Sequence, residues 1–208
     1  MSFYLGIDFG TTGVRTSIID KNKKVLINFS VSIDDPISKG SLVYQNPSLW
    51  WSALIKNLTY LKTKIELNKI ERLSIDGTSG TVLITDHLGN PLDDALMYND
   101  ASAVKESKLV ESISDNHPIV STSTNALVRA LSLINKLKKE KYRILHQADW
   151  IACKIIDDYM YSDENNALKL GYDCIERSWP KWFDKLPIEM NSLPNIKIPG
   201  QSIGELRN

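Results

Sequence analysis

Leu5-Gly6-Ile7-Asp8-Phe9-Gly10-Thr11-Thr12-Gly13-Val14-Arg15 is the stretch that decides the fold. Phe3 to Asp8 has the composition of a strand, and Phe9 to Gly13 is too rich in glycine and threonine to be anything but a turn. Val14 to Asp20 then reads as the returning strand of a hairpin. The turn offers several backbone N–H groups, two hydroxyls and a glycine free to take positive φ, which suits it to cradle phosphate. Asp8 at its mouth can hold Mg²⁺, usually through water, and Arg15 on the returning strand can add a fixed positive charge. On these residues alone a plain hairpin, with Asp8 merely bonding the turn's amides, is an equal reading. Neither GxxxxGK[ST] nor GxGxxG occurs here, so neither P-loop nor Rossmann chemistry is indicated.

Working outward, Lys21 to Lys24 makes the next turn, and Val25, Ile27, Phe29, Val31 and Ile33 alternate with Asn28, Ser30 and Ser32 as a half-buried strand. Asn46-Pro47 starts a helix whose apolar stripe is Trp51, Leu54, Leu58, Leu61 and Ile65, running to about Asn68. A strand at Arg72 to Asp76, a glycine-rich turn at Gly77 to Gly80 and a strand at Thr81 to Thr85 follow. Asp86 to Asn90 turns the chain again, and Ala95 to Tyr98 is the returning strand. Beyond Asp100 the pattern turns helical, with Ser102–Asp115, a helix carrying Leu127, Leu131, Ile134 and Leu137, and Gln147–Tyr159. The lysine run Lys136 to Lys141 reads as a solvated, dipole-matched helix end. Strands first and helices later point to an α/β lobe with a mixed sheet.

The bulk properties agree with one globular domain. The chain has 208 residues, 42% hydrophobic and 24% charged, which is the balance of a chain that folds. Acidic and basic residues are equal at 25 each, so no global field draws it to nucleic acid or an anionic membrane, and a small-molecule partner is expected. Cys153 and Cys174 lack CxxC spacing or a histidine cluster and read as reduced thiols. With no basic leader before Asp8 and no long apolar run, a cytoplasmic location is expected.

Two segments together resemble the FGGY carbohydrate kinases of the actin-like ATPase superfamily. Leu5 to Arg15 is similar to the superfamily's first phosphate motif. Ile75-Asp76-Gly77-Thr78-Ser79-Gly80-Thr81-Val82, followed by Asp86, Gly89, Pro91-Leu92 and Met97-Tyr98-Asn99-Asp100-Ala101, resembles the family's sugar-facing strand pair. A small Ser79-Gly80 pair is similar to the ribulokinase and xylulokinase-like branch of cyanobacteria and plants. The resemblance implies an actin-like ATPase (ribonuclease H-like) lobe, its mixed sheet opening with an antiparallel hairpin and flanked by helices, over residues 1–208. It implies ATP and Mg²⁺ as cofactors and transfer of the γ-phosphoryl to a pentulose, D-ribulose or D-xylulose. Asp8 would organise Mg²⁺, Thr11, Thr12, Gly13 and Arg15 would meet the phosphates, and Ser79, Gly80, Asn99 and Asp100 would hold the sugar. A polyol needs such short polar groups on a rigid edge, because a buried hydroxyl without a partner costs about 1–3 kcal/mol. Without the resemblance, Gly77 to Gly80 is a surface turn and Asn99-Asp100 a helix N-cap.

His146-Gln147-Ala148-Asp149-Trp150-Ile151 and the loop from Ser162 to Asp173 resemble the same branch, which implies a loop near the sugar cleft. Residues alone read Asp149 and Trp150 as helix-start and core positions. Two departures stand out. Ser102 occupies the place where the family commonly has an arginine. The resemblance also covers only about the first half of a usual two-domain member. The aspartate general base, the second phosphate motif and the adenosine pocket are therefore expected on a separate C-terminal lobe, and the chain by itself is expected to be inactive. A noncatalytic sugar-binding module or a truncated remnant of such a kinase is the alternative.

Overall fold

The computed structural model describes residues 2–114, 120, 122–137 and 141–206. In chain order its first elements are β1 (Phe3–Phe9), β2 (Gly13–Asp20), β3 (Val25–Ser32), β4 (Ile37–Lys39), β5 (Leu42–Gln45), α1 (Pro47–Lys62), β6 (Ile70–Gly77) and β7 (Val82–Thr85). There follow β8 (Ala95–Leu96), α2 (Val104–Ile113), α3 (Ala126–Ile134), β9 (Arg143–His146), α4 (Gln147–Ile156), β10 (Tyr161–Asp163), α5 (Glu164–Ala167) and β11 (Asn195–Lys197). The chain forms two compact units, Met1–Pro36 with Asn46–Thr78, and Ile37–Gln45 with Ser79–Asn208.

The first unit is a four-stranded sheet in the order β3-β2-β1-β6, antiparallel except for the parallel pair β1 and β6. Alternate residues Phe3, Leu5, Ile7 and Phe9 of β1, with Val14 and Ile18 of β2, are buried, as the period of a strand requires. Helix α1 begins as expected: Asn46 caps it through the Ser48 amide at 2.9 Å and Pro47 occupies its first turn. Its buried stripe, however, is Trp50, Ala53, Leu54, Asn57 and Leu61, so Trp50 rather than Trp51 is the fully buried tryptophan. Asn57 ties the helix to the sheet by accepting from Thr16 Oγ1 at 3.1 Å and donating to the Val14 carbonyl at 3.3 Å. The helix ends at Lys62 instead of near Asn68, because the Thr63 hydroxyl and amide turn back onto the Tyr60 carbonyl.

The second unit is built on a five-stranded antiparallel sheet in the order β4-β5-β8-β7-β9. Its core joins Val82 and Ile84 of β7 and Ile144 of β9 to Val110 of α2 and Leu127, Leu131 and Ile134 of α3. Strands β4, β5 and β9 have no counterpart in the sequence reading; each is four residues or fewer, too short for alternation to show. The strand expected at Ala95–Tyr98 holds only Ala95–Leu96, yet that pair bridges β5 and β7. Helix α2 starts at Val104, later than Ser102, and Asp115 lies outside the described residues. Helix α3 stops at Ile134, so Lys136 lies just beyond it, bonded to Asp93 at 3.0 Å. Lys138 and Lys139 lie outside the described residues. Helix α4 ends at Ile156 because Asp157 takes the left-handed conformation, φ 56°.

The Asp86–Asn90 turn forms as expected, its Asp86 carboxylate accepting from the Leu88 and Asn90 amides at 2.8 and 2.9 Å. Gly89 has φ 78°, its carbonyl takes the Trp150 indole N–H at 2.9 Å, and a Cβ there would lie 2.0 Å from the Tyr159 ring. Cys153 is buried and free, and burial above all pushes its thiol up to about 12. Both the left-handed backbone and the ring contact oppose a side chain at position 89. Gly89→Ala is therefore expected to cost about 2 kcal/mol or more. Denaturant unfolding checks this, and a loss under about 0.5 kcal/mol, the range of an unremarkable surface change, would contradict it.

Candidate active site

The phosphate-side candidates all lie in the first unit. Asp8 near the end of β1 and Arg15 near the start of β2 are cross-strand partners, and Arg15 Nε sits 2.9 Å from Asp8 Oδ2. Both side chains are open to solvent, 65% exposed for Arg15 and 50% for Asp8. The turn between them is closed by the Gly10 amide donating to the Gly13 carbonyl at 2.9 Å. The Thr12 carbonyl accepts from the Ile33 amide at 3.0 Å, so the residue just after β3 braces the turn. Just after β6, Thr78 Oγ1 donates to the Phe9 carbonyl at 3.2 Å.

The turn's glycines are needed for space rather than for positive φ, which corrects the sequence expectation: neither Gly10 nor Gly13 is left-handed. A Cβ on Gly10 would lie 3.0 Å from Arg15 Nη2, and one on Gly13 would lie 3.2 Å from the Val31 carbonyl. Glycine thus lets the backbone itself form the lining. In the parallel register Asp8 stands beside Asp76, whose own carboxylate accepts from the Gly77 amide at 2.8 Å. Side chains in register on neighbouring strands share a face, so Asp76 stands on the same face as the Asp8–Arg15 pair at this sheet end. Sequence reading passed over Asp76 as a site residue, because only strand register places it next to Asp8.

The sugar-side candidates lie in the second unit, and the structure brings them together. Ser79 and Asn99 are exposed while Gly80 and Asp100 are buried. Gly80 has φ 82°, a backbone conformation that favours glycine. The Asn99-Asp100 pair does not cap α2, whose N-cap is Ala103. Asp100 is 0% exposed, and its carboxylate accepts from the Val43 amide at 2.7 Å and from the Ser102 amide and hydroxyl at 3.2 and 2.9 Å. A buried carboxylate so engaged fixes the segment. Ser102, in the place of the family's usual arginine, is one of its donors.

Sequence reading missed Arg129. It sits on α3 at 1% exposure, and its guanidinium reaches the carbonyls of Gly80 at 2.6 Å, Tyr98 at 2.6 Å and Asp100 at 3.3 Å. Burial lowers its pKa to about 10, against the opposing pull of Asp100. No carboxylate lies within ion-pair distance of it among the described residues. An arginine in the middle of an apolar helix is the signal that could have found it.

Asp149, on α4, is a structural knot. It accepts from the His146 amide at 3.2 Å, Ser162 Oγ at 2.7 Å and Asn166 Nδ2 at 2.8 Å, and so pins the loop after α4. Burial pushes the neighbouring Asp163 carboxyl up, partly offset by the Asn166 amide. No group of three or more His, Cys, Asp or Glu able to hold a metal occurs among the described residues, and no helix among them is long and apolar enough to cross a membrane.

Residues 3–208 match the FGGY family of carbohydrate kinases, N-terminal domain. The chain belongs to this family. It is 23% identical over 219 residues to a xylulose kinase of Staphylococcus xylosus, covering 99% of this chain and 45% of that kinase. It is also 23% identical over 249 residues to the ribulokinase of Staphylococcus aureus strain MRSA252, with 99% and 45% covered. Among solved structures, the ligand-bound xylulose kinase of Lactobacillus acidophilus matches with a TM-score of 0.86 at 17% identity, over 100% of this chain and 44% of that one. The glycerol kinase of Plasmodium falciparum with ADP matches with a TM-score of 0.84 at 18% identity, over 100% and 45%. At such identities the structural likeness shows the fold, an actin-like ATPase lobe. The chain thus spans about half the length of the FGGY kinases it matches.

The solvent-open Asp8–Arg15 pair should contribute little to folding. Arg15→Ala is expected to change unfolding free energy by less than about 1 kcal/mol in a denaturant titration, as exposed ion pairs do. A loss beyond about 2 kcal/mol would make the pair a structural clasp and remove the argument that it is kept for chemistry.

Proposed function

We propose that this chain is the sugar-binding lobe of an ATP-dependent pentulose kinase, acting on D-ribulose or D-xylulose. The observation that carries the reading is the convergence of the Ser79-Gly80 and Tyr98 to Asp100 segments on Arg129, which gives two exposed polar side chains, Ser79 and Asn99, a fixed backing. Fixed short polar groups suit a polyol, whose hydroxyls each need a partner. The small Ser79-Gly80 pair leaves room beside it and supports placement in the ribulokinase-like branch. Asp100 serves by holding the Val43 and Ser102 amides.

On the phosphate side, the half-exposed carboxylate of Asp8 and a glycine turn whose lining a Cβ would fill both fit a magnesium–nucleotide. Mg²⁺ would supply charge neutralisation of the phosphates. Asp8 would orient the ion, most simply through water, and the backbone at Thr11, Thr12 and Gly13 would approach the phosphate oxygens. Arg15 holds Asp8 in place and adds a positive charge for the transferring group. In the transfer a sugar hydroxyl oxygen bonds to the γ-phosphorus, the bond to the ADP oxygen breaks, and the hydroxyl proton goes to a base. We assign that base, with the adenosine pocket, to the C-terminal half that the relatives possess. The two free thiols accord with a cytoplasmic setting.

The test is a chimaera joining this chain to the C-terminal half of a xylulose kinase. Pentulose-dependent ADP release is expected from the chimaera and not from the chain by itself. Asp8→Ala should lower kcat by roughly 10²-fold or more, while Ser79→Leu should chiefly raise KM. An active chimaera indifferent to Asp8→Ala would overturn the role given to that carboxylate.

A further inference from the structure

A buried cation usually has a carboxylate beside it, since a lone charge removed from water is costly. Arg129 has main-chain carbonyls instead, from two separate stretches of the chain. Those stretches are the ones that hold Ser79, Gly80, Asn99 and Asp100. Nη2 takes the Gly80 carbonyl and Nη1 takes the Tyr98 and Asp100 carbonyls, so the planar fork itself sets the distance between the two segments. Glycine at position 80 is part of the same fit, because a Cβ there would lie 3.2 Å from Nη2.

We propose that Arg129 is the positioning residue of the sugar wall, fixing the peptide planes at Gly80 and Tyr98 so that Ser79 and Asn99 are presented to the hydroxyls of a polyol. This rests on the sugar-kinase reading above. The stereochemistry is direct. In a planar trans peptide the C=O and the following N–H point in opposite directions. With the Tyr98 carbonyl drawn onto the guanidinium, the Asn99 N–H is turned away from α3, on a residue that is itself exposed. The Asp100 carbonyl is held in the same way, and the Ala101 amide behind it donates to the Ser41 carbonyl at 3.0 Å. The segment is thus fixed from both sides, by Arg129 on one and by β4–β5 on the other.

A lysine at 129 keeps the charge and most of the volume but is a point donor that cannot span the two segments as a fork. Arg129→Lys and Arg129→Met are compared with the wild-type 208-residue chain in three measurements: thermal melting, residue-resolved amide exchange without sugar, and titration with D-ribulose and D-xylulose. Arg129→Lys is expected to melt within a few degrees of wild type, to exchange faster at Asp100 and Ala101, whose amides donate to the Met97 and Ser41 carbonyls, and to bind pentulose roughly tenfold more weakly. Protection at Leu127 to Leu133 should stay as it was. Arg129→Met should show the same local pattern more strongly. Unchanged exchange at Asp100 and Ala101, or loss of protection spread evenly through α3, would overturn the proposal and leave Arg129 a core residue only. A wild-type chain that binds neither pentulose would instead sink the substrate reading, while the sugar-free exchange comparison still decides whether Arg129 positions the wall.

Discussion

One guanidinium, buried on α3 and bonded through Nη1 and Nη2 to carbonyls rather than to a carboxylate, is the constraint on which the second unit's polar wall depends. Each charged hydrogen bond to those carbonyls contributes about 1.5–3 kcal/mol, and leaving the cation without them would cost more than the bonds return. The segments at Gly80 and at Tyr98 to Asp100 are therefore not independent loops. Asp100 extends the arrangement, because its carboxylate fastens the same segment to Val43 in the neighbouring strand. The exposed residues at the wall, Ser79 and Asn99, carry no such burden and are left to make contacts outward.

The first unit solves a different problem. Its hairpin leaves backbone uncovered by placing glycines where a Cβ would meet Arg15 or the Val31 carbonyl. The apolar alternation of β1, the cap at Asn46 and the buried Asn57 hold the sheet and helix beneath that turn. Asp8 and Arg15 add almost nothing to this framework, as their exposure indicates. Side chains that the fold does not need, held at the mouth of a turn that the fold does brace, are what a phosphate site requires.

Much of this was legible in the chain. Strand composition around a glycine-rich turn announced β1 and β2, alternation announced β3, and Asn46-Pro47 announced α1, because those signals are local. The stripe of α1 was read one residue out of phase, at Trp51, since adjacent tryptophans both satisfy a helical period and only packing chooses between them. The short strands β4, β5 and β9 carry too few residues for periodicity; β5 and β9 exist because each is paired by a neighbour distant in sequence, and β4 because it pairs with β5. At the candidate site, Asp8 and Ser79 were singled out because glycine-rich turns stand out in a sequence. Arg129 and the burial of Asp100 were not, since both depend on contacts across tens of residues.

The most direct test of the central claim, that one chain carries a sugar wall and a phosphate hairpin, is amide mapping of the labelled 208-residue chain by two-dimensional NMR. Millimolar ligand is needed, since half a cleft binds weakly. D-ribulose or D-xylulose should shift the amides of Ser79, Gly80 and Asn99, and a magnesium–nucleotide should shift Gly10 to Gly13. Folded protein whose Ser79 and Asn99 amides ignore both pentuloses, or whose hairpin ignores the magnesium–nucleotide, would contradict the account.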